Sequence, residues 1–144
     1  MSEFRTSIEI NAPPDHIQAI LLDVERWPEW TASTTSVRRI DQGPFVLGSR
    51  ARVQQPKLRP AVWEVTELND RKFTWVTRSP GVQITAGHLV EPTRVGSRVT
   101  LSLKFSGLLA PLVGWLYGRS TRNYVRMEAE GLRQRAETEY EQAC

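Results

Sequence analysis

The sequence is short of the residues that build disulfide, metal and nucleophile sites. Its 144 residues include one cysteine, Cys144, and two histidines, His16 and His88. A single cysteine at the end of the chain excludes an internal disulfide framework and a cysteine-rich zinc site. The histidines and carboxylates show no metal-ligand spacing, so we expect no metal ion and no cofactor. A glycine-rich phosphate loop, a His-Glu-x-x-His motif and a Gly-x-Ser-x-Gly motif are also absent.

Long hydrophobic runs are missing as well. The most apolar stretch covers residues 108–117 and contains Pro111 and Gly114. A helix that spans a bilayer needs roughly 20 apolar residues, so this stretch is too short to cross a membrane. The first residues show no apolar segment behind a basic start, as a secretory signal peptide would. We therefore expect a soluble, cytoplasmic protein.

The remaining composition is that of a globular domain. Hydrophobic residues make up 40% of the chain and charged residues 24%, and the length predicts a single domain over residues 1–144. The net charge is +3, with basic residues concentrated in residues 38–126. They are spread over predicted strands without a nucleic-acid-binding motif, so we expect no nucleic-acid partner. The arginines after Tyr117 remain a candidate contact for an anionic partner.

Alternation of apolar and polar residues indicates strands through most of the chain. A strand over residues 4–10 precedes two short helices, the first with Asp15 as its expected N-cap and the second near residues 27–30. Six further strands are predicted, at residues 36–41, 48–55, 61–68, 72–78, 82–91 and 96–106. Their short connections favour an antiparallel sheet. A long helix follows, with Pro111 in its first turn.

The pattern therefore predicts an α+β fold in which the long C-terminal helix covers a curved antiparallel sheet of seven strands. One helix face carries Leu112, Leu116, Ser120, Asn123, Tyr124, Met127 and Gly131. Small and polar residues on that face predict open space between helix and sheet, which is typical of ligand pockets. A second, shifted face is marked by apolar residues, namely Val125, Ala129, Leu132 and Ala136.

Several segments in this order resemble one known superfamily. They are residues 7–13, 23–30, 48–50, 65–68, 73–75, 88–92, 96–100 and 128–133. Together they resemble the SRPBCC, or START-like, superfamily and within it the polyketide cyclase/dehydrase-like branch. The resemblance spans nearly the whole chain and implies a helix-grip, Bet v 1-like fold. It does not specify a reaction, because members of this superfamily hold lipids, hormones, polyketides or other apolar molecules.

In such a fold, inward strand faces and the long helix would line a cavity. The predicted ligand-binding residues are Trp63, Val65, Phe73, Trp75, His88, Val90, Leu101, Leu103, Phe105, Leu116, Ser120, Asn123, Tyr124 and Met127. Aromatic walls suit flat apolar ligands, although ordinary core packing is the better explanation for any single aromatic side chain. His88 shares a strand face with Ile84, Ala86 and Val90, so we expect it to point inward. It is the only catalytic candidate, with a structural core histidine as the alternative.

The apolar stretch at residues 108–117 precedes Arg119, Arg122 and Arg126, which recur at helical spacing. Four interpretations remain open: burial inside the grip of the sheet, a portal or lid over the cavity, a dimer contact, or docking on a membrane. Of these, burial is the simplest and membrane contact the least favoured. The sequence leaves open whether the protein is a monomer or a homodimer.

Three classes of function follow. The leading hypothesis is a module that binds, and could transport, a small hydrophobic or aromatic molecule in the cavity. The second, implied by the resemblance, is a polyketide cyclase, aromatase or dehydratase that folds its substrate into a reactive geometry. The third is a regulatory protein that acts through partner contacts at residues 108–117. The single inward titratable residue, His88, argues against the enzyme.

Overall fold

The structure is a computed structural model that describes residues 2–143. Within this range, seven strands form one antiparallel sheet with the spatial order β1-β7-β6-β5-β4-β3-β2. The strands are β1 (Ser2–Ile10), β2 (Ser36–Arg39), β3 (Arg50–Gln54), β4 (Ala61–Leu68), β5 (Lys72–Ser79), β6 (Val82–Pro92) and β7 (Ser97–Ser106). The predicted helix-grip α+β fold is confirmed. Cys144 lies outside the described residues.

The first helix, α1, spans Pro14–Leu22 and is followed by a 3-10 helix at Val24–Glu29. The prediction that Asp15 caps α1 is wrong. Pro13 occupies the N-cap position and Asp15 lies in the first turn. Proline suits the start of a helix, because the first N–H groups have no partner within the helix.

The long helix α2 spans Ala110–Ala143 and packs mainly against β1, β7 and α1. Ala129, Leu132 and Ala136 form its fully buried face, which is the second face that the sequence indicates. At Gly131, a Cβ atom would lie 2.0 Å from the backbone oxygen of Trp30. Gly131 therefore permits close helix packing and does not create open space. Among residues 2–143, no helix combines the length and apolarity that a bilayer-spanning segment requires.

The strand register places a polar group within the apolar inner face of the sheet. On β6, His88 lies opposite Phe73 of β5 and Leu101 of β7. Two residues earlier, Ala86 lies opposite Trp75 and Leu103. Because alternate residues of a strand share a face, all these side chains point toward the same side of the sheet.

Candidate functional site

A cavity of about 110 Å³ lies between the inner face of the sheet and the middle of α2. Its wall is mostly aromatic and aliphatic, with Trp27, Trp63 and Trp75 on the sheet side. Thr121, Tyr124, Val125 and Glu128 line it from α2. These helix residues are spaced three and four apart, so they lie on one side of the helix.

A cluster of aromatic rings lies at the floor of the cavity and directly behind it. The ring centroid of Trp75 lies 5.7 Å from that of Trp63, 5.4 Å from Trp27 and 5.0 Å from Phe73. Trp27 comes from the 3-10 helix and is fixed in place because its indole Nε1 donates a hydrogen bond to the Leu21 oxygen at 3.0 Å. The rings are tilted or edge-on to each other, which is the favoured arrangement for aromatic pairs. The result is an apolar wall of closely packed aromatic rings.

His88 is buried at the edge of this cluster. Its ring stacks on that of Phe73 with centroids 4.8 Å apart and planes at 12°. Its Nδ1 lies 2.8 Å from the Phe73 carbonyl oxygen. A carbonyl oxygen only accepts hydrogen bonds, so Nδ1 carries a proton and donates it. This contact fixes the ring orientation and directs the other nitrogen, Nε2, toward α2.

Glu128 on α2 is the second titratable residue of the site. Its Oε2 lies 3.3 Å from His88 Nε2, and its side chain is mostly buried. The pair therefore brings a carboxyl group and an imidazole, two kinds of side chain that commonly act as general acids and bases, together at the cavity wall.

One side of the cavity is covered by the connection between β3 and β4, which contributes Gln55 and Leu58 to the wall. Tyr124 donates a hydrogen bond from its hydroxyl to the Pro56 carbonyl and so joins this connection to α2. Gln54 Nε2 donates to the Leu58 oxygen at 2.7 Å, and Gln55 Nε2 to the Ser33 oxygen at 3.2 Å. The connection is thus held mainly by side-chain hydrogen bonds.

The predicted ligand-binding residues fall into three groups. Trp63, Trp75, His88, Leu101, Leu103 and Tyr124 line the cavity. Val65, Phe73, Val90 and Phe105 are buried outside its lining. Leu116, Ser120, Asn123 and Met127 are exposed to solvent. The last group faces outward because α2 is oriented by its buried residues Ala129, Leu132 and Ala136, which lie on the opposite side of the helix.

Several cavity residues were not predicted. They are Trp27, Ser33, Thr34, Val53, Gln55, Leu58, Ile84, Ala86, Gly87, Ser102, Thr121, Val125 and Glu128. Glu128 could have been found from the sequence, since it precedes Ala129 and lies one turn before Leu132 on the buried side of the helix. The expectation of a single inward titratable residue is therefore corrected, because Glu128 also reaches the cavity.

The apolar start of α2 is largely exposed to solvent. Leu108 is 95% exposed and Trp115 80%, whereas Ala110 is buried. The interpretation that the sheet buries this stretch is therefore wrong. The cavity lining draws on later residues of α2, from Thr121 to Glu128.

Comparison with solved structures supports the fold. BexL, a di-domain ARO/CYC from the BE-7585A biosynthetic pathway, shares 18% identity with a TM-score of 0.70, covering 93% of this chain and 46% of BexL. StfQ, a di-domain ARO/CYC from the steffimycin biosynthetic pathway, shares 13% identity with a TM-score of 0.74, covering 95% of this chain and 51% of StfQ. This chain thus spans about half the length of each di-domain protein. At such low identities, the TM-scores show a shared fold alone.

A structure of similar size comes from Helicobacter pylori, the hypothetical protein jhp0584. It shares 16% identity with a TM-score of 0.75, covering 93% of this chain and 86% of that protein. A search of functionally curated proteins finds no significant match. The family described as "Polyketide cyclase / dehydrase and lipid transport" matches residues 1–141. With its helix-grip fold and a family match along nearly its whole length, the chain belongs to the polyketide cyclase/dehydrase and lipid transport family of the SRPBCC superfamily.

Proposed function

We propose that this protein binds a small aromatic or hydrophobic molecule in the cavity between the sheet and α2. The observation that carries the proposal is the composition of the cavity wall. Three tryptophan side chains surround a space in which His88 and Glu128 form one polar pair, 3.3 Å apart. Ligand sites typically combine an apolar wall with a few polar groups that orient the ligand.

The size of the cavity limits the ligand. A dry apolar cavity of about 150 Å³ accepts benzene, and the cavity here measures about 110 Å³. Because the cavity is smaller than that but partly open to solvent, the largest ligand we propose is a single-ring compound with one polar substituent. The ring would lie against Trp63 and Trp75, and a hydroxyl or carbonyl oxygen would hydrogen-bond to the His88–Glu128 pair. Opening the connection between β3 and β4, which Tyr124 holds, would let such a ligand enter and leave. Transport of the ligand through the cytoplasm would require both steps.

Native mass spectrometry of freshly purified protein tests this proposal, because a retained molecule would appear as added mass. The matched variants are Ala86→Phe, which fills the cavity from β6, and Thr85→Phe, which places the same bulk on the other face of the strand. We expect a retained or added single-ring ligand on the wild-type and Thr85→Phe proteins, and none on Ala86→Phe. Absence of any adduct after incubation with p-cresol, or equal uptake by Ala86→Phe, would contradict the proposal.

The second candidate is an acid–base enzyme, and the placement of His88 Nε2 3.3 Å from Glu128 Oε2 at the cavity wall favours it. A bound aryl ketone would present its α-carbon to the pair. The pair would remove one α-proton to give the enolate and then return a proton to the same carbon. Such general base catalysis contributes typically 10²–10⁴-fold. This chemistry resembles the proton movements that a cyclase or dehydratase needs.

Exchange of the methyl protons of acetophenone in deuterated buffer, followed by NMR, tests this second candidate. We expect the wild-type protein to accelerate exchange, and Glu128→Gln to lower the rate by about 10²-fold or more. An exchange rate equal to that of buffer alone, or one unchanged in Glu128→Gln, would leave binding as the only proposed function.

A further inference from the structure

We propose that the start of α2 docks the protein onto an anionic lipid bilayer. The docking surface consists of Leu108, Leu112, Trp115 and Leu116, followed by Arg119, Arg122 and Arg126; we call it the Trp115 patch. The proposal is independent of ligand binding in the cavity, because the patch lies on the outward side of α2. The cavity residues Thr121 and Glu128 lie on the inward side.

The apolar half of the patch is exposed to an unusual degree. Trp115 is 80% exposed and Leu108 95%, and both neighbours on the helix, Leu112 and Leu116, are also exposed. Leu112, Trp115 and Leu116 are spaced three and four apart, so they form one continuous strip on a single side of the helix. Exposed apolar strips of this kind mark interaction surfaces in soluble proteins.

The cationic half follows directly along the same helix. Arg119, Arg122 and Arg126 are all exposed, and within residues 2–143 none of them forms a salt bridge with a carboxylate. Arg122 and Arg126 lean over the Phe4 ring, each 5.6 Å from its centroid. No aspartate or glutamate occurs between Glu91 and Glu128 in the sequence. The patch itself therefore contains no acidic residue to offset its charge.

This arrangement is complementary to the surface of an anionic bilayer. Interfacial helices lie flat, with tryptophan and leucine in the acyl boundary and basic residues on the lipid headgroups. From Leu112 to Arg126 the helix is roughly 21 Å long, which is enough to place both halves on one membrane surface. Tryptophan is also the side chain that favours the interfacial region.

A second copy of the chain fits the patch less well. In a two-fold symmetric dimer the same surface meets itself, so parallel helices would bring the arginines of the two copies together, and antiparallel helices would place them against the partner's apolar residues without a carboxylate to pair with. Like charges brought together across an interface oppose association. A bilayer of anionic lipids supplies the opposite charge and the apolar environment together.

Vesicle co-sedimentation tests the proposal with two lipid compositions, phosphatidylcholine alone and phosphatidylcholine mixed with phosphatidylglycerol. We expect the full chain to bind the anionic vesicles and not the neutral ones, and to be released as salt rises. Trp115→Ser should weaken binding by more than about tenfold, because an inserted tryptophan buries ~200 Å² of apolar surface. Arg119→Gln should weaken it by about fivefold, the effect expected for one basic residue at the membrane surface.

Two control variants make the result specific. Val95→Ser removes another exposed apolar side chain, 73% exposed, at the opposite end of β7, and should bind like wild type. Ala86→Phe blocks the cavity and should also bind vesicles normally. Failure of the ligand-binding proposal would therefore leave the membrane-docking proposal intact. Equal binding by Trp115→Ser and wild type, no binding to anionic vesicles, or a dimer that Trp115→Ser converts to monomer would overturn the proposal.

Discussion

Glu128 of α2 and His88 of β6 meet at the cavity wall, with Oε2 of the glutamate 3.3 Å from Nε2 of the histidine. His88 Nδ1 is already engaged by the Phe73 oxygen at 2.8 Å. The two residues lie forty positions apart in the sequence. The pair therefore links strand β6 to the long helix α2. Removing either side chain leaves the facing atom of the other, Nε2 of His88 or Oε2 of Glu128, without this partner in a mostly buried environment.

A double-mutant cycle measures this coupling. His88→Phe and Glu128→Leu should each lower the free energy of unfolding by about 1–3 kcal/mol, because each leaves a buried polar group unsatisfied. The double variant should lose less free energy of unfolding than the two single variants lose together, and the difference, the coupling energy, should be about 1 kcal/mol or more. Urea denaturation of the four proteins gives these values. Additivity within about 0.5 kcal/mol would show that the two side chains do not interact.

Two glycines of α2 should respond in opposite ways to alanine. In Gly131→Ala the new Cβ would approach the backbone oxygen of Trp30 to 2.0 Å, whereas at Gly118 no atom lies within 4 Å. We expect Gly131→Ala to lower the free energy of unfolding by about 1–3 kcal/mol through overpacking. Gly118→Ala should raise it by up to about 1 kcal/mol, since alanine favours helix. Thermal unfolding of both variants checks the prediction. Equal changes in melting temperature for Gly131→Ala and Gly118→Ala would contradict the close packing of Gly131 against Trp30.

Tyr124→Phe should loosen the connection over the cavity. The substitution removes the hydroxyl that donates to the Pro56 carbonyl, at a cost of about 1 kcal/mol in stability. Amide exchange should then accelerate at residues 55–59, and bound ligand should dissociate faster. Tyr140→Phe is the control, because the Tyr140 hydroxyl makes no hydrogen bond within the described part of the chain. Unchanged exchange at residues 55–59 would mean that Tyr124 does not hold the connection.

Glu29 should contribute a pH-dependent part of the stability. Its hydrogen bond with Arg26, and then that with Arg135 of α2, lower the pKa of the Glu29 carboxyl below its ordinary value of 4.5. A carboxyl whose pKa is lower in the folded state stabilises the fold above the ordinary value, and this contribution disappears as pH falls through the lowered pKa. The stabilisation is thus present at neutral pH and lost in acid.

The measurement compares the melting temperatures of wild type and Glu29→Gln from about pH 7 to about pH 3. The wild-type protein should melt at the higher temperature near neutrality, and the difference should narrow below the ordinary pKa of glutamate. Glu141→Gln, at an exposed position near the end of α2, should show no such difference. A difference in melting temperature between wild type and Glu29→Gln that stays constant across the whole pH range would contradict the role assigned to Glu29.

The strands were predictable because their side chains alternate. β4 begins and ends where the sequence pattern places it, and His88 points inward together with Ala86 as expected. Period-2 alternation and short polar turns determine such elements locally. The same alternation identified Trp63, Trp75, Leu101 and Leu103, which all line the cavity.

The orientation of α2 was harder to predict because two faces of the helix compete in the sequence. Leu116, Asn123 and Met127 suggest one inward side, and Ala129 with Leu132 suggests another. Tertiary packing decides between them. The backbone of Trp30 packs directly against Gly131, where any side chain would collide with it, and this contact fixes which side of the helix faces the rest of the protein. The partnership of Glu128 with His88 depends on this rotation, and so does the exposure of Trp115. Sequence periodicity alone does not contain that information.

Binding of a single-ring ligand in the cavity is the central claim, and an NMR titration with p-cresol and its isostere p-xylene tests it most directly. We expect saturable shift changes at Trp63, Trp75 and Leu103 with both compounds, tighter binding of p-cresol because its hydroxyl meets the His88–Glu128 pair, and loss of both in Ala86→Phe. If neither compound shifts these residues, or if Ala86→Phe binds both as well as wild type does, the cavity is not a ligand site.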